Sequence, residues 1–136
     1  MEDCIFCKIV ANKIPAAKVY EDDKVISFLD IMPANKGHCL VVPKNHAQTL
    51  IEMGEDDLIA IMKAAKKIAR ALSLSFGSGS FNIVMNNGKE AGQLVNHAHI
   101  HVIPRFQKDR LRIKWSHLKY EGDEMKEYAE KIRKFV

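Results

Sequence analysis

Within His97-Ala98-His99-Ile100-His101-Val102-Ile103, three of the chain's six histidines fall at alternate positions, each followed by an apolar residue. Imidazole serves as nucleophile, acid or base near neutral pH with little tuning, and it is a common metal ligand. A strand sends successive side chains to opposite faces. This spacing therefore predicts one face carrying His97, His99 and His101 and another burying Ala98, Ile100 and Val102. The histidine face is expected to be wet and titratable. One ion held by all three rings does not fit, because the outer two lie roughly 13 Å apart at ~3.3 Å per residue. That is about the most two rings can span at ~2.1 Å per bond. The row must divide its labour, unless it is merely a solvated sheet face; such faces usually carry Lys, Glu and Thr.

Cys4 and Cys7 form a Cys-x-x-Cys pair and read as metal ligands or a redox pair, with buried reduced thiols as the structural alternative. Three cysteines are an odd number, and nothing else suggests a secreted disulfide framework. Cys39 reads as a small core residue. A net charge of +4 suits anionic small ligands but falls short of the basic stripe expected of a duplex-binding protein, so no nucleic-acid partner is expected. No apolar run reaches the ~18 residues that span a bilayer, and Met1-Glu2-Asp3-Cys4 is acidic where a signal peptide needs base. A cytoplasmic protein without a membrane partner is the expectation.

These residues must be held by a modest scaffold. At 136 residues the chain reads as a single domain over 1–136, burying about two-thirds of its unfolded surface. Ile5, Phe6, Ile9 and Val10 predict one or two helical turns, ended by Pro15. Runs 17–20 and 24–29, parted by Glu21-Asp22-Asp23, predict a hairpin. After the turn-rich 32–37 segment, 38–42 predicts a strand closed by Pro43. There His38, Leu40 and Val42 share one face and Cys39 and Val41 the other, so His38 can look toward the triad if the two strands pair. Over 55–74 the spacing predicts a long helix with Leu58, Met62, Ala65, Ile68 and Leu72 as its apolar stripe and a solvated basic face. A strand over 80–85, the triad strand ended by Pro104, and a helix over 123–136 with Met125, Tyr128, Ala129, Ile132 and Phe135 on one stripe complete the chain. The 105–119 segment holds six Lys or Arg against one acid and reads as an exposed connection that could approach a phosphate or a partner. About five strands with short turns, one long helix and a C-terminal helix make an α+β domain with an antiparallel sheet.

The pattern His-φ-His-φ-His-φ-φ, with φ apolar, resembles the signature of the histidine-triad (HIT) superfamily of nucleotidyl hydrolases and transferases, in particular its zinc-binding Cys-x-x-Cys subgroup. Residues 4–9, 28–31, 37–46, Asn86-Asn87-Gly88 and Gly92-Gln93 are each similar to a family segment, in the family's order. The resemblance implies a HIT-like fold with its core over about 4–106, the basic connection and terminal helix over 107–136, and a homodimer. It implies one structural Zn2+ per chain, with Cys4 and Cys7 joined by His46 and His97. It implies that His99 attacks the α-phosphorus of a purine nucleotide conjugate to form a nucleotidyl-histidine that water resolves, AMP being the product. His101 would stabilise the phosphate or assist the leaving group, with His38 in support.

By the same resemblance, Asp30 accepts hydrogen bonds from ribose hydroxyls, Asn86 and Gln93 bond the phosphate or leaving group, and Ile5, Phe6, Phe28, Ile31, Leu40 and Val95 border the nucleotide. The small residues Gly88 and Gly92 would let backbone N–H groups approach phosphate. Phosphoramidate and dinucleoside polyphosphate hydrolases share this machinery. Ile103-Pro104-Arg105-Phe106 departs from the phosphoramidase branch's continuation and resembles the polyphosphate branch, and Leu94 stands where phosphoramidases commonly carry serine. A nucleotide-binding or scaffold protein with incidental turnover is the alternative.

Overall fold

The computed structural model describes residues 3–136. Met1 and Glu2, half of the acidic start noted above, lie outside the described residues. Strands β1 (Lys18–Glu21), β2 (Val25–Leu29), β3 (Cys39–Pro43), β4 (Ser80–Val84) and β5 (Ile100–Arg105) join helices α1 (Ile5–Val10), α2 (Glu55–Phe76) and α3 (Glu124–Arg133). The sheet order is β1-β2-β3-β5-β4, with every neighbouring pair antiparallel. This is the expected α+β architecture. Pairing sets Leu40 opposite His101 and Phe28 opposite Leu40, so one sheet face carries a ring, an aliphatic and an aromatic side by side.

Both sheet faces are covered, which is why β2 and β3 read as nearly unbroken apolar runs. On one face, Val25, Cys39, Val41, Ile100 and Val102 pack against α2. On the other, Ile26, Phe28, Leu40 and Val42 pack against Phe6 and Ile9 of α1. The alternation expected for residues 38–42 therefore holds, and the long helix lies on the side away from the histidines.

Three boundaries or faces differ from expectation. First, α1 ends at Val10, well before Pro15. Asn12 adopts the left-handed conformation at φ 57°, its N–H donates to Ile9 O at 3.0 Å, and Lys13 N–H reaches back to Lys8 O at 2.8 Å. This paired closure satisfies the last carbonyls, and asparagine is one of the few residues that tolerates the required turn. Second, the buried stripe of α2 is Ile61, Ala64, Ala65, Ile68, Ala69 and Leu72, while Met62 is 47% exposed. The spacing from Ile61 follows one helical face, and its alanines let the helix lie close to the sheet. Third, the stripe of α3 is not buried: Met125, Tyr128, Ile132 and Phe135 are all more than half exposed. The connection from 106 to 122 is irregular, as expected for the basic segment. Among the described residues no helix is long and apolar enough to cross a membrane.

Candidate active site and metal-ligating cluster

Only His101 stands within β5; His97 and His99 precede it in irregular backbone. Ala98 N–H donates to Ala47 O at 2.7 Å, and His97 Nε2 bonds Pro43 O at 2.8 Å. The segment therefore follows the turn after β3 instead of continuing the ladder. Nor is the row wet: His97 is 0% and His99 7% exposed. Phe6 of α1 covers them, its ring edge-on to His97 at 5.9 Å and to His99 at 5.2 Å. The rings of His99 and His101 share one side, 4.9 Å between centroids.

Hydrogen bonding fixes the tautomer of each ring. A carbonyl only accepts, so His97 donates from Nε2 to Pro43 O and keeps a lone pair on Nδ1. His99 donates from Nδ1 to His97 O at 2.7 Å, which leaves the Nε2 lone pair free. His38 accepts the Ala34 N–H on Nδ1 at 3.0 Å, so the neutral ring carries its proton on Nε2. That nitrogen lies 2.9 Å from His101 Nδ1 and donates to it. His101 is thereby left with a proton on Nε2. One ring thus offers a lone pair and its neighbour an N–H donor.

Burial is the main cause holding all of these rings neutral. It lowers the pKa of His38, His97 and His99 below the usual imidazole value. For His101 burial, followed by the neighbouring His99 and His38, brings it down to about 4. Asp30 opposes this on His38, its Oδ2 lying 3.6 Å from His38 Nε2.

A second cluster lies just behind. The Cys4 and Cys7 thiols and His46 Nδ1 converge on His97 Nδ1, with separations of 3.2 to 3.5 Å. Bonds of ~2.1 Å to nitrogen and ~2.3 Å to sulfur imply tetrahedral edges of about 3.4–3.8 Å, close to what is seen. The free Nδ1 lone pair of His97 is what a ligand requires, and its Nε2–H bond to Pro43 is the usual supporting contact. Burial and the adjacent Cys4 raise the Cys7 thiol to about 11, a penalty that a bound dication reverses. These four residues can hold a metal ion.

Asp30, His38 and His101 also lie close enough to suggest an ion. Here the Ala34 N–H decides otherwise, because it occupies His38 Nδ1 and leaves no lone pair on Nε2. The set is a hydrogen-bonded chain ending on His101.

The other expected site residues divide. Phe6, Phe28 and Leu40 are buried together with Val95 packed against them. Ile5 and Ile31 are open to solvent, 46% and 92% exposed. Asn86 is half-buried beside Gly92. Gln93 is buried and spends both ends of its amide on backbone: Oε1 accepts Gly88 N–H, and Nε2 donates to Gln48 O and Val95 O. The amides of the loop's two glycines are themselves engaged within the protein. Gly88 N–H goes to Gln93 and Gly92 N–H to Lys89 O at 3.0 Å, so those two amides brace the loop. An attacking His99 is expected to donate from its other ring nitrogen to a main-chain carbonyl, and His97 O fills that part; which carbonyl it is, and the parts of the Ala34 amide and Pro43 O, were not foreseen, since a backbone group leaves no mark in the sequence.

A family model described as the HIT domain matches residues 11–108. The adenosine 5'-monophosphoramidase of Schizosaccharomyces pombe is 38% identical over 130 residues, covering 95% of each chain. The solved structure of a HIT family protein from Bacillus subtilis superposes with a TM-score of 0.92 at 41% identity, over 98% of this chain and 97% of that one. A zinc-bound histidine triad family protein from Mycobacterium smegmatis superposes with a TM-score of 0.78 at 36% identity, over 85% and 84%. With its fold, its histidine row and its relatives in agreement, this chain belongs to the HIT-domain family.

Proposed function

We propose that this HIT-family enzyme cleaves the bond between the α-phosphate of a purine nucleotide and its substituent through a nucleotidyl-histidine on His99. The observation that carries the reading is the 2.7 Å bond from His99 Nδ1 to His97 O, which leaves Nε2 unprotonated beside the His101 donor. The Nε2 lone pair forms a bond to phosphorus as the substituent departs with the bonding electrons, taking its proton from solvent. His101 donates from Nε2 to a phosphate oxygen as charge develops, and His38 holds it in that form. Water then attacks phosphorus and gives up a proton to solvent, the P–N bond breaks, its electron pair returns to Nε2, and AMP leaves. Splitting one displacement into two is the gain of a covalent intermediate.

In this reading Asp30 receives the ribose hydroxyls and Ile5, Phe6, Phe28, Ile31, Leu40 and Val95 border the base, while Asn86 faces the phosphate and Gln93 and Gly92 shape its loop. Adenosine phosphoramidates are the first substrate class, supported by the Schizosaccharomyces pombe relative. Dinucleoside polyphosphates are the second, on the strength of residues 103–106. Cys4, Cys7, His46 and His97 hold one structural Zn2+, supported by their separations and by the zinc-bound relative. Bound there, the ion would supply no chemistry to the substrate; its four ligands would tie α1 to the turn after β3 and to His97, whose carbonyl accepts the His99 Nδ1–H hydrogen bond.

The unit is one HIT domain over 1–136, with core residues at about 4–106. It acts in the cytoplasm as a homodimer, which the exposed apolar residues Leu74, Phe81 and Ile83 beside one another on α2 and β4 favour.

Intact-mass spectrometry after brief exposure to an adenosine phosphoramidate or diadenosine tetraphosphate tests the chemistry. An AMP-sized adduct that disappears with turnover in His99→Ala is expected. Unchanged turnover in that variant refutes the mechanism, and adduct-free binding of nucleotide would favour the binding-protein alternative.

A further inference from the structure

The loop between β2 and β3 carries Asp30 and the Ala34 amide, yet its first half has little packing: Ile31 is 92% and Met32 77% exposed, and close apolar contact comes at Gly37, against Phe76, Leu72 and Pro104. Its shape rests on polar anchors. His38 N–H donates to Asn35 O at 3.0 Å and Asp30 N–H to His38 O at 2.9 Å. Met32 N–H adds a bond to Asp30 Oδ1 at 2.9 Å, and a further anchor reaches outside the loop. Asn35 Nδ2 donates to Pro104 O at 2.9 Å and to Asp109 Oδ2 at 3.0 Å.

Asp109 is itself held on both carboxylate oxygens. Arg105 grips it through Nε at 2.8 Å and Nη2 at 2.9 Å, and Phe106 N–H adds a third donor at 3.0 Å. Arg105 in turn bonds Asn82 Oδ1 on β4 at 2.7 Å and Leu111 O at 2.8 Å. The Asp109 side chain is only 8% exposed, and Arg105 holds its carboxyl far below the usual range. A two-toothed guanidinium–carboxylate pair whose Oδ2 also accepts from Phe106 N–H and Asn35 Nδ2 is a rigid fixture. It stands just past the end of the strand that bears His101.

We propose that Asn35 and Asp109 are positioning residues for catalysis: clasped by Arg105, they hold the 30–38 loop so that the Ala34 amide, through His38, keeps His101 presenting its Nε2–H to substrate. The proposal deepens the hydrolase reading above and rests on it for its kinetic consequence. Its structural consequence does not. Loss of the clasp frees the Ala34 amide to drift from His38, whose ring can then take either tautomer, and His101 follows. A shift of about 1 Å in such a chain costs up to about 100-fold in rate.

The test combines two readouts on the full chain. Asn35→Ala is expected to lower kcat about 10-fold to 100-fold, and Asn35→Asp, which keeps the shape but sets a carboxylate against Asp109, to do the same. In Asn35→Ala/His38→Ala the loss should stay within twofold of His38→Ala alone, because both act along one path. Long-range proton–nitrogen NMR should show His101 with an unprotonated Nδ1 in the wild type and a mixture of forms in both Asn35 variants. Unaltered ring-nitrogen shifts with kcat within twofold of wild type overturn the proposal, and so does a double-variant loss equal to the product of the single ones. If the wild type turns over no nucleotide, the hydrolase reading fails while the nitrogen shifts still decide the clasp.

Discussion

With the proposed ion bound by Cys4, Cys7, His46 and His97, its removal by a chelator should undock α1 and slow the chemistry at His99, although no metal ligand is expected to touch substrate. Consider what else holds this helix. Its six residues bury two large side chains, Phe6 and Ile9, worth about 1.5–3 kcal/mol each. Edge contacts of Phe6 with Phe28 and the His97 and His99 rings add about 0.5–1.5 kcal/mol apiece, for a total of roughly 8 kcal/mol. Ordering the same six residues costs about 1–2 kcal/mol each in backbone entropy, or roughly 9 kcal/mol. The two sides nearly cancel, so bonds from Cys4, Cys7, His46 and His97 to a bound ion would decide whether the helix is docked. When it leaves, the His99 ring loses the Phe6 edge, and the His97 carbonyl that orients it is no longer fixed from behind.

Hydrogen exchange on chelated protein, with metal content followed by elemental analysis, is the assay. The Lys8 and Ala11 amides, bonded to Cys4 O and Cys7 O, should lose most of their protection while β2 and β3 keep theirs, and kcat should fall at least tenfold. Full protection at 8–13 in protein proven metal-free would refute the reasoning, because the apolar contacts would then suffice. Protein purified without chelator and found to hold no metal would remove its premise.

Two further outcomes follow from burial and charge. Ile61→Ala should cost about 3 kcal/mol of stability, since Ile61 is fully buried, whereas Met62→Ala should stay within about 0.5 kcal/mol; urea unfolding separates the two, and equal losses would restore the stripe expected from sequence. His101 has a folded pKa of about 4, below the ~6.5 of an unfolded histidine. The unfolded chain therefore binds the extra proton, and the contribution is fully present above pH 6.5 and lost as pH falls toward 4. The loss is about 3 kcal/mol, so urea midpoints of the wild type should drop more steeply across that window than those of His101→Asn; parallel curves would show that the ring is not held neutral by the fold.

Much of this protein is legible without coordinates because its signals are local. Alternation in 38–42 sorts Leu40 from Val41 onto the two faces where they are found, and a 3.6-residue period marks α2. The two-residue spacing of the histidines puts His99 and His101 on one side, and the Cys-x-x-Cys pair announces a ligand set.

What the chain order could not disclose is set by contacts between distant segments. Whether Ile61 or Met62 faces the sheet depends on how closely alanines let the helix approach. Whether His97 and His99 belong to the ladder depends on the Pro43 and Ala47 carbonyls, some fifty residues away. The proton on each ring is assigned by backbone groups of Pro43, His97 and Ala34, and peptide units are alike in every sequence. Residue types and spacing therefore determined which groups are present and which face they share. Only tertiary folding, by choosing a partner for each ring nitrogen, decided which one holds a lone pair and which a proton.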